Sequence, residues 1–200
     1  MNFLARPAAA LGASLGAAVL AALLAAGPAS AASWTVDTAH SKLGFTGSQS
    51  GAAFSGQFSR WDAAIDFDPA NPTAGHATVT IDMASAKTGD VQKDQSLPEA
   101  DWFSTKAFPK AVFEATSFKS VGPASGGGNQ YQAVGTLTIR GIKKDVVLPF
   151  TLDVAGGKAH AVGKLDLVRT DYGVGQGAWS TGQMVALNVS VILDLTATTK

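Results

Sequence analysis

The chain has 200 residues, no cysteine, and 15 basic against 15 acidic side chains. The lack of cysteine excludes disulfides, thiolate catalysis and cysteine-ligated metals, so the fold depends on its hydrophobic core. A net charge of zero without a basic cluster gives no electrostatic footprint for nucleic acid and no polybasic patch for an anionic membrane surface.

The N-terminal segment has the composition of a secretory signal peptide. Arg6 supplies a positive charge, residues 8–26 are an uncharged run of mostly Ala, Leu, Val and Gly, and residues 29–31 are small, as a cleavage site requires. The alternative is a transmembrane anchor, but no basic stop-transfer cluster follows the run. We therefore predict a cleaved signal peptide at residues 1–31 and one domain of about 169 residues at 32–200.

In the predicted domain, apolar and polar residues alternate with a period of two. The clearest run is 183–197, where every second residue from Val185 to Leu195 is Val or Leu and Asn188 and Asp194 lie between them. Successive side chains of a strand face opposite sides, so this run has one apolar and one polar face, whereas a helix would mix the polar residues into the apolar stripe. Similar runs occupy residues 61–68, 77–83, 130–139 and 145–154 and, more weakly, 42–46, 52–59, 111–120 and 158–167.

Turn residues separate these runs. The pair Gly156-Gly157 fits a two-residue hairpin with positive φ, and Arg140-Gly141 marks another reversal. Between residues 88 and 109 the alternation stops, and Ser96 and Glu99 have the spacing of a capping box. We predict a short helical insertion there, whose large apolar side chains cover one mouth of the domain.

The number of amphipathic runs predicts an all-β fold with a closed antiparallel barrel of about eight strands. No rhythm of alternating strands and helices points to a parallel sheet. A sandwich and an outer-membrane barrel are the alternatives, and the second would need its apolar face outward and a polar lumen. The Asp-rich polar faces and the helical insertion favour a barrel with an apolar interior, just wide enough for one small ligand.

Motifs for catalysis and metal binding have little support. His40, His76 and His160 are not spaced as metal ligands, so we predict no metal site. His40 beside Ser41 could belong to a hydrolase triad, but the predicted domain contains no Gly-x-Ser-x-Gly elbow. We predict that the protein is not an enzyme and keep an esterase-like activity of His40 and Ser41 as a minor alternative.

Aromatic residues are concentrated in the first half of the domain and in the insertion. They could simply fill an ordinary core, or they could line a mostly apolar pocket beside small inward residues. The residues that we select as candidates for an apolar cavity are Phe45, Phe58, Trp61, Ile65, Phe67, Ile81, Leu97, Trp102, Phe103, Phe113, Leu137, Phe150 and Val189.

Several short segments together resemble the YceI-like family. They span nearly the whole predicted domain. The most specific are Leu-Thr-Ile-Arg within residues 135–141, the Trp-Phe pair at 102–103, and Arg-Thr-Asp-Tyr-Gly at 169–173. Further matching segments are Trp34-Thr-Val-Asp37, His40-Ser41, Phe45, Gly56, Phe58, Phe67-Asp68-Pro69, Asp94, Leu97, Phe108-Pro109 and Phe113.

The resemblance implies a lipocalin-like extended barrel, a periplasmic location and a bound isoprenoid lipid, of quinone or polyprenyl type, with no cofactor. It also suggests a membrane b-type cytochrome as a partner. Asp94, Arg140 and Arg169 are our candidates for contacts to the ligand's head group. One departure is Ser96, where the family commonly has His, which puts the head-group chemistry in doubt.

The leading hypothesis is therefore a periplasmic carrier or binding protein for an amphiphilic isoprenoid. The alternative is a non-catalytic interaction module, with a barrel filled by its own side chains, that docks to a membrane redox partner. A cavity inside the barrel would separate the two. The sequence does not predict an oligomeric state.

Overall fold

A computed structural model of the chain describes residues 32–200, so the predicted signal peptide lies outside the described residues. None of the helices in this range is both long and apolar enough to cross a membrane. The described residues form one α-helix, α1 (Val91–Ser96), and eleven strands: β1 (Ser33–Val36), β2 (Lys42–Gln49), β3 (Ala52–Phe58), β4 (Trp61–Asp66), β5 (His76–Asp82), β6 (Ala86–Lys87), β7 (Lys110–Pro123), β8 (Asn129–Ile139), β9 (Ile142–Ala155), β10 (Lys158–Val168) and β11 (Asn188–Thr199).

The strands close into an antiparallel barrel, which confirms the predicted fold. The pairing order is β1, β4, β5, β7, β8, β9, β10 and β11, and β11 returns to β1, where Trp34 pairs with Thr199. Closure leaves few exposed strand edges, which are sites of aggregation in open sheets. The eight strand positions agree with the number that the alternating runs predict.

Three short strands extend the wall at the end that carries the insertion. β11 pairs with β1 through residues 197–199 and with β2 through residues 190–194, so β1 and β2 lie end to end along the same neighbour. β3 then pairs with β2, and β6 pairs with β3. The chain bends between β1 and β2 because the Asp37 carboxylate caps a 3₁₀ turn, accepting from the N–H groups of Ala39 and His40.

The two predicted hairpin turns are confirmed. Arg140 and Gly141 join β8 to β9 with φ values of 51° and 75°, and Gly156 and Gly157 join β9 to β10 with 58° and 75°. Positive φ at both central residues gives a turn whose twist matches that of the flanking strands.

Two local predictions are wrong. The capping box does not start a helix at Ser96: Asp90 caps α1, and the Ser96 hydroxyl donates to the Gln92 carbonyl at the helix's last turn. The final strand begins at Asn188 rather than at residue 183. Before Asn188, Val185 makes only an isolated bridge to Gln49 at the end of β2, and the carbonyls of residues 185 and 186 accept from Arg169, so the continuous strand starts later than predicted.

The apolar side chains face the barrel interior and form two clusters. The upper cluster, next to the insertion, includes Phe58, Leu97 and Leu137. The lower cluster, next to the Gly156-Gly157 turn, includes Trp34 and Phe67. Phe113, Leu148 and Ala161 pack against both clusters and mark the middle of the barrel.

Candidate functional site

An apolar cavity of about 250 Å³ runs through both clusters, and the surface of its wall is apolar. Its lining residues on β10 run from Ala159 to Leu167, which at about 3.3 Å per residue is about 26 Å of strand. Strands of such barrels tilt by about 35–45°, so the cavity extends about 20 Å along the barrel axis. Its shape is that of a narrow tunnel.

All thirteen apolar residues selected from the sequence lie in the cavity wall. Alternation along the strands places most of them on the inner face, Leu97, Trp102 and Phe103 come from the insertion, and barrel closure brings the set together. The selection missed other lining residues. Trp34 is one, with its indole N–H donating to the Phe67 carbonyl at 2.9 Å. Others are Leu43, Phe54, Met83 and Leu193. Leu193 lies in the clearest alternating run, so the same signal could have found it.

In the upper part of the tunnel, aromatic rings connect the strands to the insertion. Phe45 and Phe58 have ring centroids 5.3 Å apart, and Phe58 and Phe103 are 6.3 Å apart. The Phe45 ring lies directly on Gly56 of the paired strand, where an added Cβ would come within 2.3 Å of the ring. Gly56 therefore makes room for the ring on the inner face.

A second aromatic group fills the lower part of the tunnel. The Phe67 ring meets Phe118 at 4.9 Å and Tyr131 at 5.3 Å, both edge to face. Tyr131 stacks on Phe150 at 5.6 Å. Burial raises the pKa of the Tyr131 phenol, so it stays neutral at physiological pH. Edge-to-face pairs are favourable beyond their buried area, so these rings hold one another in place.

Among the described residues, Arg169 is the one charged residue in the wall of this tunnel, and it is only 3% exposed. All five of its N–H groups donate to main-chain carbonyls of the long loop, which we define as residues 169–187. Nε donates to Ala186, Nη1 to Val174 and Gly175, and Nη2 to Trp179 and Val185. Arg169 therefore has no N–H left for a head group, which is contrary to the role predicted from the sequence.

The other two predicted head-group contacts are also engaged inside the protein, and neither lines the cavity. Arg140 donates to the carbonyls of Ala100 and Trp102, in the insertion. Asp94 accepts from the N–H and the hydroxyl of Thr88 at 2.6 and 2.9 Å, which holds the pKa of its carboxyl below the ordinary value. These contacts do not support a head-group role for either residue.

The insertion and the long loop are bonded to each other over the upper end of the tunnel. The N–H groups of Gly175 and Gln176 donate to the Asp101 carbonyl at 2.7 and 2.8 Å. The Arg169 guanidinium lies 5.4 Å from the centre of the Trp102 ring, which also contacts Trp179. The predicted cover is thus a two-part structure anchored on one arginine.

The residues considered for catalysis do not assemble into a site. The His40 ring contacts the Asp37 carboxylate at 2.8 Å, while the Ser41 hydroxyl is engaged with the main chain of Thr196. Ser96 is exposed and bonded within its own helix, so its position does not face the tunnel. Within residues 32–200, no group of three or more His, Cys, Asp or Glu side chains could hold a metal ion.

A sequence model described as the YceI-like domain matches residues 34–197. The chain belongs to the YceI-like family. It is 32% identical over 174 residues to a UPF0312 protein of Pseudomonas savastanoi pv. phaseolicola, covering 82% of this chain and 88% of that one. It is also 32% identical over 163 residues to Protein YceI of Escherichia coli O157:H7, covering 74% and 82%.

Solved structures of related proteins share the barrel. The crystal structure of Burkholderia cenocepacia BcnA matches with a TM-score of 0.76 and 34% identity, over 82% of this chain and all of that one (100%). A polyisoprenoid binding domain from Saccharophagus degradans, described as implicated in plant cell wall breakdown, matches with a TM-score of 0.66 and 18% identity, over 84% and 98%. At that identity the second likeness concerns the fold alone.

Proposed function

We propose that this protein is a periplasmic carrier that holds a long-chain isoprenoid lipid, of quinone or polyprenyl type, in the barrel interior. The observation that carries the proposal is the long tunnel with an apolar wall. Apolar cavities of this kind stay free of water. Each methylene group of a chain that moves into the tunnel from water contributes about 0.8 kcal/mol to binding.

The ligand class is supported by the tunnel's shape and by the family. A narrow passage favours a single extended chain over a compact molecule. One protein with the same fold is described as polyisoprenoid binding. The periplasmic location rests on the composition of residues 1–31, and docking to a membrane b-type cytochrome stays a prediction from the resemblance.

Binding of this kind needs no covalent step, so the proposal is for a non-catalytic protein. Burial of the ligand's apolar surface supplies the driving force for binding. Arg169, the charged residue of the wall, stabilises the fold of the long loop. The alternative interaction module assumed a barrel filled by its own side chains. A cavity of about 250 Å³ argues against that assumption.

Side chains have to move when a long chain enters. The cavity volume of about 250 Å³ is below the range of about 300–1,000 Å³ usual for ligand pockets. Phenylalanine rings in the middle of the tunnel, such as Phe113, are only partly buried and can change rotamer. We therefore expect ligand uptake to alter the fluorescence of Trp61 and Trp102, which lie in the wall.

The test is a charge placed in the middle of the tunnel. Phe113→Asp introduces a carboxylate that an apolar chain cannot solvate, so uptake of a polyprenol, followed by tryptophan fluorescence, should be lost. The matched control is Val112→Asp, one residue along β7, which does not line the tunnel. Ala161→Phe, which blocks the tunnel without a charge, gives a second variant if Phe113→Asp fails to fold. Either variant, if it folds and binds the polyprenol like the wild type, would contradict the proposal.

A further inference from the structure

The barrel wall has a break between β9 and β10. The two strands pair from Ala155 with Lys158 to Phe150 with Gly163, and the pairing stops there. Both strands continue, and each keeps its other neighbour: β9 stays paired with β8 to Ile142, and β10 with β11 to Val168. In the described chain no main-chain hydrogen bond joins residues 142–149 to residues 164–168. We call this gap the slot.

The sequence explains where the slot begins. Pro149 is the next residue of β9 after the last paired one, and proline has no N–H to donate to a neighbouring strand. Gly163, which pairs with Phe150, is in tight contact with Pro149: a Cβ added to Gly163 would lie 2.9 Å from the Pro149 carbonyl oxygen. The strands are therefore in close contact at this point and unpaired beyond it.

The slot is continuous with the tunnel on its inner side. Leu148 on β9 and Leu165 and Leu167 on β10 flank the slot and belong to the tunnel wall. Because no strand hydrogen bonds cross here, separating these residues costs less than separating any paired part of the barrel.

The outer rim of the slot carries both apolar and charged side chains. Three of the eight exposed large apolar side chains among the described residues flank it, with exposures from 37% to 47%: Ile142, Val147 and Val168. Beside them on β10, Lys164 and Asp166 are ion-paired with each other at 3.0 Å. Val147 on β9 and Val168 on β10 give a crossing hydrocarbon chain apolar contacts on both strands.

We propose that the slot is a lateral portal through which the apolar chain of the ligand enters and leaves the tunnel. This inference rests on the proposed function and specifies its route. The upper mouth is the competing route. It is held by the hydrogen bonds of Gly175 and Gln176 to Asp101 and by those of Arg140 to the insertion, all of which would have to break.

The experiment closes the slot chemically. The chain has no cysteine, so pairs can be introduced without background. Val147 and Asp166 are both exposed and would lie opposite each other if the strand register continued. In the double variant Val147→Cys with Asp166→Cys, a bismaleimide joins the two strands across the slot. The control is Asp153→Cys with His160→Cys on the same two strands, where the wall is already paired.

The probe is all-trans-retinol, an isoprenoid alcohol that accepts energy from tryptophan, mixed with the protein in a stopped-flow instrument. Cross-linking across the slot should slow both association and dissociation at least about tenfold, with the Kd changed less than about twofold. Cross-linking the control pair should leave both rates unchanged.

A second locked variant tests the upper mouth. Asp101→Cys with Gln176→Cys joins the insertion to the long loop where they are already hydrogen bonded. Slower uptake after this cross-link, with unchanged rates after the slot cross-link, would overturn the portal and assign entry to the mouth. Retinol and polyprenol uptake absent even from the wild type would overturn the proposed function and the portal together.

Discussion

Arg169 illustrates what a single residue contributes to this site. Its position in the Arg-Thr-Asp-Tyr-Gly segment suggested a contact to a head group, yet its five N–H groups all bind carbonyls of the long loop. An arginine buried in an apolar wall needs these partners, because an unpaired buried charge is strongly destabilising. The sequence identifies the residue but cannot say which acceptors the loop will present.

Gly175 offers a test of this anchor. Its φ is +81°, and an added Cβ would lie 1.9 Å from the Arg169 Nη1 atom. Gly175→Ala should therefore displace the guanidinium. The left-handed conformation alone should lower the free energy of unfolding by roughly 1–2 kcal/mol. The variant should lose about 1–3 kcal/mol more, because carbonyls of the long loop lose their donor. Urea unfolding measures the difference.

The control for this substitution is Gly51→Ala. Gly51 has the same φ of +81°, in the turn between β2 and β3, but no atom lies within 4 Å of its added Cβ. Both variants therefore have the same cost for an alanine at positive φ. The difference between their free energies of unfolding measures the contribution of the Arg169 hydrogen bonds. Equal losses of stability in both variants would show that displacement of Arg169 costs nothing, which would contradict its role.

At the scale of elements, the strands were easier to predict than the insertion. Period-two alternation defines the strands, and glycine-containing pairs define two hairpins, because both signals are local in the chain. The insertion has no such period. Ser96 and Glu99 match a capping motif in sequence, but Asp90 is the residue that accepts from the first free N–H groups of α1. Competing cap residues a few positions apart cannot be ranked by spacing alone.

The stability of the first part of the insertion should depend on pH through the Asp94 carboxyl. The hydrogen bond from the Thr88 N–H, with that from its hydroxyl, lowers the pKa of Asp94 below 3.8. A lowered pKa in the folded state means that this contribution to stability is present above pH 3.8 and is lost as the pH falls through the folded value. A carbon-detected NMR titration of Asp94 should therefore give a midpoint below 3.8.

Thr88→Val separates the two contributions to this shift. It removes the hydroxyl and keeps the N–H, so the Asp94 midpoint should move part of the way back toward the ordinary value. Thr105→Val, elsewhere in the insertion, removes a hydroxyl that donates to the Pro98 carbonyl and should leave the midpoint unchanged. A wild-type midpoint at or above 3.8 would rule out this account of Asp94.

At the scale of the whole molecule, the tunnel follows from alternation and closure together. Each inward position is fixed by its strand, and closing eight strand positions brings positions such as Phe45, Phe113 and Val189 to one wall although they are far apart in sequence. The slot was not foreseen. Pro149 shows only that a hydrogen bond is missing, and the divergence of two strands is a property of the closed barrel.

The central claim is that the tunnel carries an isoprenoid lipid, and native mass spectrometry tests it most directly. The protein is purified from the cells that produce it, transferred to a volatile buffer, weighed intact, and extracted with organic solvent. The account predicts a bound species that extracts as a quinone or polyprenyl lipid. A ligand-free mass, together with no uptake of added polyprenols or quinones, would contradict it.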